Sequence, residues 1–394
     1  MIDKRLQAYR TYQRFLKILL TMSGCWPIPT KSGKSKYYWS FCTLLGLTTY
    51  VTCCLNFGYN YKHNLTICMK YIGMAISGFG SFIKVTIFLI NRDSLINMHR
   101  TLNDFFEEEL IQNKKIRTII FSSLRKVYIL GYTYATIMTA LILAYIMPPY
   151  IHIIRDLCHL RLTTNYTLPV SKGRGYPWTI PDNFFYHLHM LMETICSCLS
   201  AITTSGVDSV FGFYVYQFAS TMHAMTFRFT NPLPTQKFSN LLKKSVKKHK
   251  KLLRCRGTLE HIYGPIIFWH TVSSAVLLCF LMYEMAHVSH FTIKNLSEVL
   301  TFATVKLLQM FMYAWGGTIL TNASEDFRNG IYFGEWSNSA LDCHVRTNVI
   351  LVMMQKPMTI NAIFSSVNIA LFTNFVNTTM SYFFLLKSIE DKDG

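Results

Sequence analysis

Seven times along this chain, about twenty or more residues pass with at most two charged side chains: 37–61, 71–90, 127–150, 184–217, 262–283, 299–320 and 357–386. A helix rising 1.5 Å per residue needs about 20 apolar residues to cross roughly 30 Å of hydrocarbon. No water reaches backbone polar groups at that depth, so each run must close its own hydrogen bonds, which an α-helix does. The expected fold class is therefore all-α integral membrane, a single domain over 1–394 with seven transmembrane helices. Only 15% of residues are charged, against about 25% in soluble domains. The excess of 39 Lys and Arg over 20 Asp and Glu reads as a topological bias. No recognition motif accompanies it, so nucleic acid is not an expected partner.

The connections between runs fall into two alternating sets carrying 28 and 9 Lys and Arg. Positive charge stays on the cytoplasmic side. The N-terminus is thus expected inside and the C-terminus outside, the reverse of a G-protein-coupled receptor. The sequons at Asn64, Asn165 and Asn295 fall one in each of the three loops that the charges place outside, and are the expected glycosylation sites. Cys68 and Cys158 lie on that same side, where a disulfide and two free thiols both remain open. Residues 1–36 lack a signal-peptide pattern, since eight Lys and Arg surround an apolar run that is too short; the first span is expected to direct insertion. Helices flanking 218–261 and 321–356 continue past the membrane in this reading, as a cytoplasmic anchor bundle. The basic residues from Lys243 to Arg256 read either as attraction to anionic membrane lipid or as a solvated face.

No nucleophile–base pair, glycine-rich phosphate loop or metal-ligand spacing stands out, so neither enzyme chemistry nor a cofactor or metal is expected. Ionisable side chains inside spans are candidates by default because burying them is costly. There are four: Lys84, Glu193, Asp208 and Lys306. Lys84 and Asp208 read as snorkelling or paired structural groups, and a Glu193–Lys306 pair is geometrically allowed. Phe79, Ile83, Tyr134, Met138, Tyr145, Met190, Thr194 and Phe302 offer the apolar and aromatic lining, with a few hydroxyls, of a pocket for a small volatile ligand; plain helix packing is the alternative for each. The last run is too polar for lipid. At helical spacing, Ser366, Ala370, Asn374, Asn377, Ser381, Leu385 and Ser388 form one small, polar stripe that reads as a wetted face.

Several motifs then occur in order: DSVF at 208–211, LLQMFMYAWG at 307–316, Ser324, Tyr332 followed by Trp336, QKPM at 355–358 and SYFFLL at 381–386. Together they resemble the signature of insect odorant receptors, strongly over the last third of the chain. The resemblance implies an odorant-gated cation channel in the plasma membrane of sensory neurons, four subunits around a pore lined by the seventh helix. A ligand-tuned subunit assembles there with an obligatory co-receptor. This chain is similar to the tuned kind, because its connection between the fourth and fifth spans lacks the co-receptor's long insertion. Carried over by the terminal motif, Leu385 takes the hydrophobic gate position, with Asn374, Asn377, Ser381 and Ser388 along the pore. Two alternatives stand beside this reading. A gustatory-type receptor channel would carry Gln-Phe after the Ser381–Tyr382 position, which is missing, and a transporter of small apolar solutes would show internal repeats, of which none is clear.

Overall fold

The computed structural model describes residues 2–26, 37–63, 65–111, 114–157, 184–232, 238–287, 293–334 and 343–393. Among the described residues, seven helices are long enough to cross a bilayer and lie where the sequence places spans. They are α2 (Tyr37–Asn60), α3 (Leu65–Ile90), α6 (Leu124–Leu157), α7 (Phe184–Thr230), α8 (Phe238–His287), α9 (Ile293–Tyr332) and α11 (Ile369–Asp393). Four shorter or amphipathic helices join them: α1 (Ile2–Met22), α4 (Arg92–Leu110), α5 (Lys114–Ile120) and α10 (Cys343–Met353). Of the seven, α2, α3, α6, α7 and α8 are apolar enough to span by composition alone. The other two long helices pack against neighbours, α9 on α7 and α8, and α11 on α8 and α9.

The bundle is organised around α7, which packs against α1, α2, α3, α4, α5, α6 and α9 and is buried almost without interruption from Ser205 to Met225. Its large side chains are spread around the whole circumference for that reason, since a helix surrounded by protein has no face to keep for water. At one end, α1, α4 and α5 close over it. Tyr9 stacks on Phe106 at 4.6 Å and Phe213 at 5.5 Å, while its hydroxyl accepts from Gln217 Nε2 at 2.9 Å. Tyr216 donates to the Ile120 carbonyl at 2.9 Å. The fully buried Glu109 carboxylate is held by Lys248 Nζ at 2.5 Å and by Arg228. Glu108 takes Lys244 and Lys248, both at 3.0 Å. Two lysines of the basic run between 243 and 256 thus pair with the acidic end of α4, Lys248 buried and Lys244 exposed.

Two boundaries differ from the sequence reading. That reading ends the third span at Pro148 and Pro149, yet α6 runs through both to Leu157. The prolines remove only the donors that would have met the Ala144 and Tyr145 carbonyls, and a membrane helix tolerates that where neighbours compensate. It also makes one helix of 357–386, but the first twelve residues of that run are not helical. Pro357 cannot propagate the turn of α10. The segment after it folds into a two-residue hairpin, β1 (Asn361–Ala362) against β2 (Ser365–Ser366).

The hairpin is fastened by side chains of α8 and α9. Arg256 donates to the Thr359 carbonyl at 2.9 Å, Asn361 Nδ2 to Glu260 at 2.8 Å, and Met358 N to Ser324 Oγ at 2.9 Å. Gly317 lets the hairpin approach α9, because a Cβ there would overlap the Val367 carbonyl oxygen. Asn368 then caps α11, its Oδ1 accepting from Leu371 N at 2.9 Å. Ser366 therefore leaves the polar stripe, which begins on α11 itself.

Candidate ligand-binding site

Asp208 is the electrostatic centre of the bundle. It sits one turn before the aromatic stretch of α7, where α3, α6 and α9 converge. Lys84 of α3 reaches its two oxygens at 2.7 and 2.9 Å, Tyr134 of α6 donates at 3.0 Å, Gln309 of α9 donates at 2.5 Å, and Tyr313 donates to its other oxygen. Lys84 and Asp208 are both essentially inaccessible. A buried ion pair is tolerated when its remaining lone pairs are filled, and here one carboxylate collects four donor groups from three helices. The pair ties α3 to α7, while the tyrosines and the glutamine bring in α6 and α9.

Above this floor opens a cavity between α2, α3, α6, α7, α8 and α9. About 120 Å³ of it is open to the centre of a water-sized sphere; one water needs about 10–15 Å³ on that measure. A molecule of on the order of ten non-hydrogen atoms fits. The walls are mostly aliphatic and aromatic, with Met138, Leu141, Ile142 and Tyr145 from α6, Ile266 and Trp269 from α8, and Phe302 and Val305 from α9. Polar groups are few and grouped. Ser81 Oγ lies 2.8 Å from Ser200 Oγ and 3.0 Å from Thr204 Oγ1, and Lys84, His270, Lys306 and Gln309 border the same space. Apolar walls with a few placed polar groups orient a small organic molecule.

Against known proteins, the family model described as "7tm Odorant receptor" matches residues 64–380, most of the chain. The chain belongs to the odorant receptor family. Odorant receptor 9a of Drosophila melanogaster is 21% identical over 338 residues, covering 84% of this chain and 83% of that one. Odorant receptor 82a of the same fly is 20% identical, covering 84% and 86%. The odorant receptor coreceptor of Anopheles gambiae matches over 146 residues at 24% identity, 37% of this chain and 30% of that one. In three dimensions the chain is similar to the insect olfactory receptor OR5 from Machilis hrabei in complex with eugenol, with a TM-score of 0.77 and 16% identity, covering 98% of this chain and all of that one. The all-α, seven-helix membrane fold expected from the sequence is the fold of this odorant receptor.

The receptor brings together half of the eight residues that the sequence suggests for a pocket. Ile83, Met138, Tyr145 and Phe302 line the cavity. Phe79 instead turns outward, edge-on to Trp269 at 5.1 Å. Tyr134 lies beneath the floor, bonded to Asp208, and Met190 packs with Tyr186 against Tyr150 and Ile153. Thr194 exchanges a hydrogen bond with Tyr150 at 2.9 Å. None of these four is among the lining residues, although Phe79 lies between Gly78 and Gly80, which are; helical spacing places a residue on a face but does not say which neighbour that face meets. The Glu193–Lys306 pair is corrected too: Glu193 is engaged by His189 at 3.0 Å, while Lys306 lies over the Phe302 ring. Sequence reasoning missed Trp269, His270, Ser81 and Ser200. An in-span histidine beside tryptophan was the one signal available for them.

On α11, Leu371, Phe372, Phe375 and Val376 pack against Leu278, Leu307 and Met310. Asn374, Asn377, Ser381 and Ser388 are exposed on the other side, and Leu385 lies in the same helix. Asn295 falls in the first turn of α9. Asn64, Asn165 and Cys158 lie outside the described residues.

Proposed function

We propose that this odorant receptor is the ligand-tuned subunit of an odorant-gated cation channel, with a small volatile held in the cavity and α11 as its contribution to the pore. The observation that carries the reading is the shared wall between the two. On α9, Lys306 and Gln309 face the cavity while Leu307 and Met310, their immediate neighbours, pack against α11. A ligand that alters the packing of α9 therefore acts on α11 without any relay.

Around Asn374, Asn377 and Ser381, the polar face of α11 is exposed and turned from the bundle, whereas its apolar face is packed. A polar face of this kind needs water or another subunit in a membrane. Four such helices around an axis would supply a wetted pore, with Leu385 as a hydrophobic constriction that opens by small displacement. The ligand must bind the open arrangement more tightly than the closed one for this to work.

In this reading the obligatory partner is the odorant co-receptor, in a heterotetramer. The end closed by α1, α4 and α5 is cytoplasmic, as the basic excess there favours, and Asn64, Asn165 and Asn295 face outward and accept glycans. The plasma membrane of a sensory neuron is the expected location. Expressing the chain with a co-receptor and recording currents against a panel of volatiles tests the proposal. Ligand-dependent cation current is the expected result; silence despite verified delivery of both chains to the surface overturns it.

A further inference from the structure

The polar groups bordering the cavity are unbalanced. No acidic side chain lines it among the described residues. The Asp208 carboxylate next to it is already filled by Lys84, Tyr134, Gln309 and Tyr313. Lys306 stands one turn above that network, buried, and among the described residues no carboxylate lies within ion-pairing distance of it. Its ammonium has the Phe302 ring, 5.5 Å away, as its aromatic neighbour.

Three further side chains of the cavity wall lack a hydrogen-bond partner. The Trp269 indole N–H and the Ser77 and Ser197 hydroxyls are buried without one. An indole nitrogen only donates, and an ammonium only donates. A buried charge or donor left without an acceptor costs more than the same group exposed. The site therefore holds two side chains that can only donate, Lys306 and Trp269, with no carboxylate among the described lining residues to receive them.

We infer that the cavity selects small apolar molecules ending in an acceptor oxygen, a carbonyl or a carboxylate, with Lys306 as the residue that determines this specificity. The inference rests on the cavity being the odorant site. The apolar body of the ligand lies among Met138, Leu141 and Ile142, and its oxygen meets the Lys306 ammonium. A hydrocarbon of the same length would leave that ammonium buried and unanswered. An alcohol could accept as well, with its hydroxyl hydrogen given to a Ser81, Ser200 or Thr204 oxygen, but a hydroxyl oxygen is a weaker acceptor for an ammonium than a carbonyl or carboxylate oxygen. The two oxygen classes differ in one respect: a carboxylate would also neutralise the site.

The test is a set of matched series with equal carbon skeletons, each containing the hydrocarbon, the primary alcohol, the aldehyde or methyl ketone and the carboxylic acid. They are applied to the chain co-expressed with a co-receptor. Carbonyl or carboxylate members are expected to activate at the lowest concentrations. Lys306→Met should raise their half-activating concentration about tenfold to hundredfold, the span expected for a hydrogen bond to a charged group, and should leave hydrocarbons unchanged or improved. Lys306→Arg keeps the cation and should retain the preference. Surface labelling of both variants excludes misfolding as the cause. A shift confined to the acids assigns the role to charge, whereas a shift shared by ketones assigns it to hydrogen bonding; both support the inference. Hydrocarbons and alcohols activating as well as carbonyls, or Lys306→Met shifting all members alike, overturn it while leaving the odorant-site reading intact. Silence toward every series, with both chains at the surface, overturns that reading and this one with it.

Discussion

Replacing Lys84 with methionine removes the only cation bonded to Asp208 among the described residues, while preserving most of the side-chain volume. The carboxylate would keep Tyr134, Gln309 and Tyr313, each a hydrogen bond to a charged group worth about 1.5–3 kcal/mol net. It would lose its charge partner where its own exposure is only 1%. Breaking a buried pair by removing one member costs about 3–5 kcal/mol, because the other charge is stranded. The three remaining donors place the expectation near the lower end of that range. Adding Asp208→Asn removes the stranded charge, so Lys84→Met with Asp208→Asn should be more stable than Lys84→Met alone by about 2 kcal/mol. Denaturant unfolding of the detergent-solubilised protein, followed by tryptophan fluorescence, gives the three differences. If Lys84→Met lies within about 1 kcal/mol of wild type, or if the double variant is no better than the single one, the account of Asp208 as a charge held by Lys84 is wrong.

Acid should loosen the anchor through two histidines outside the membrane spans. Burial pushes His99 and His249 down to about 4, below the ordinary value near 6.5. Their folded pKa is depressed, so the unfolded chain binds protons first as pH falls below about 6.5; each costs about 2 kcal/mol by about pH 5. His99→Phe should flatten the fall in stability between about pH 6.5 and 5, and an unchanged slope counts against it. Gly317→Ala forces the hairpin off α9, since its Cβ would overlap the Val367 carbonyl oxygen. About 1–3 kcal/mol of stability should go, together with most ligand-evoked current, whereas Gly212→Ala, whose Cβ meets nothing within 4 Å, is the silent control. Leu385→Ser should raise current in the absence of ligand if this residue is the constriction, and an unchanged leak removes it from that role.

Charge patterning made much of this receptor readable in one dimension. Apolar runs mark spans because lipid offers backbone groups no partner, and that constraint acts locally on each run. The same logic exposed the last helix: Asn374, Asn377 and Ser381 are too polar for lipid, and they do lie on the face of α11 turned from the bundle. Where a run begins and ends was less readable. Pro357 cannot continue a helix, but the hairpin that follows depends on Arg256, Glu260, Ser324 and Gly317, which are between about 30 and 100 residues away in sequence.

The sequence by itself determined the fold class and the polar character of α11, since each follows from composition within a single segment, whereas composition alone marks five of the seven long helices as spans. The odorant receptor motifs added the family. Tertiary structure decided which charges meet. Lys84 and Asp208, read from the sequence as snorkelling or paired structural groups, pair with each other, while the Glu193–Lys306 pair that the sequence allowed does not form. It also decided that Met138 and Trp269 share a cavity wall while Tyr134 lies under its floor. Those outcomes depend on the rotation of each helix about its own axis and on its depth beside its neighbours. Both are fixed by side-chain interlocking between segments that are far apart in the chain.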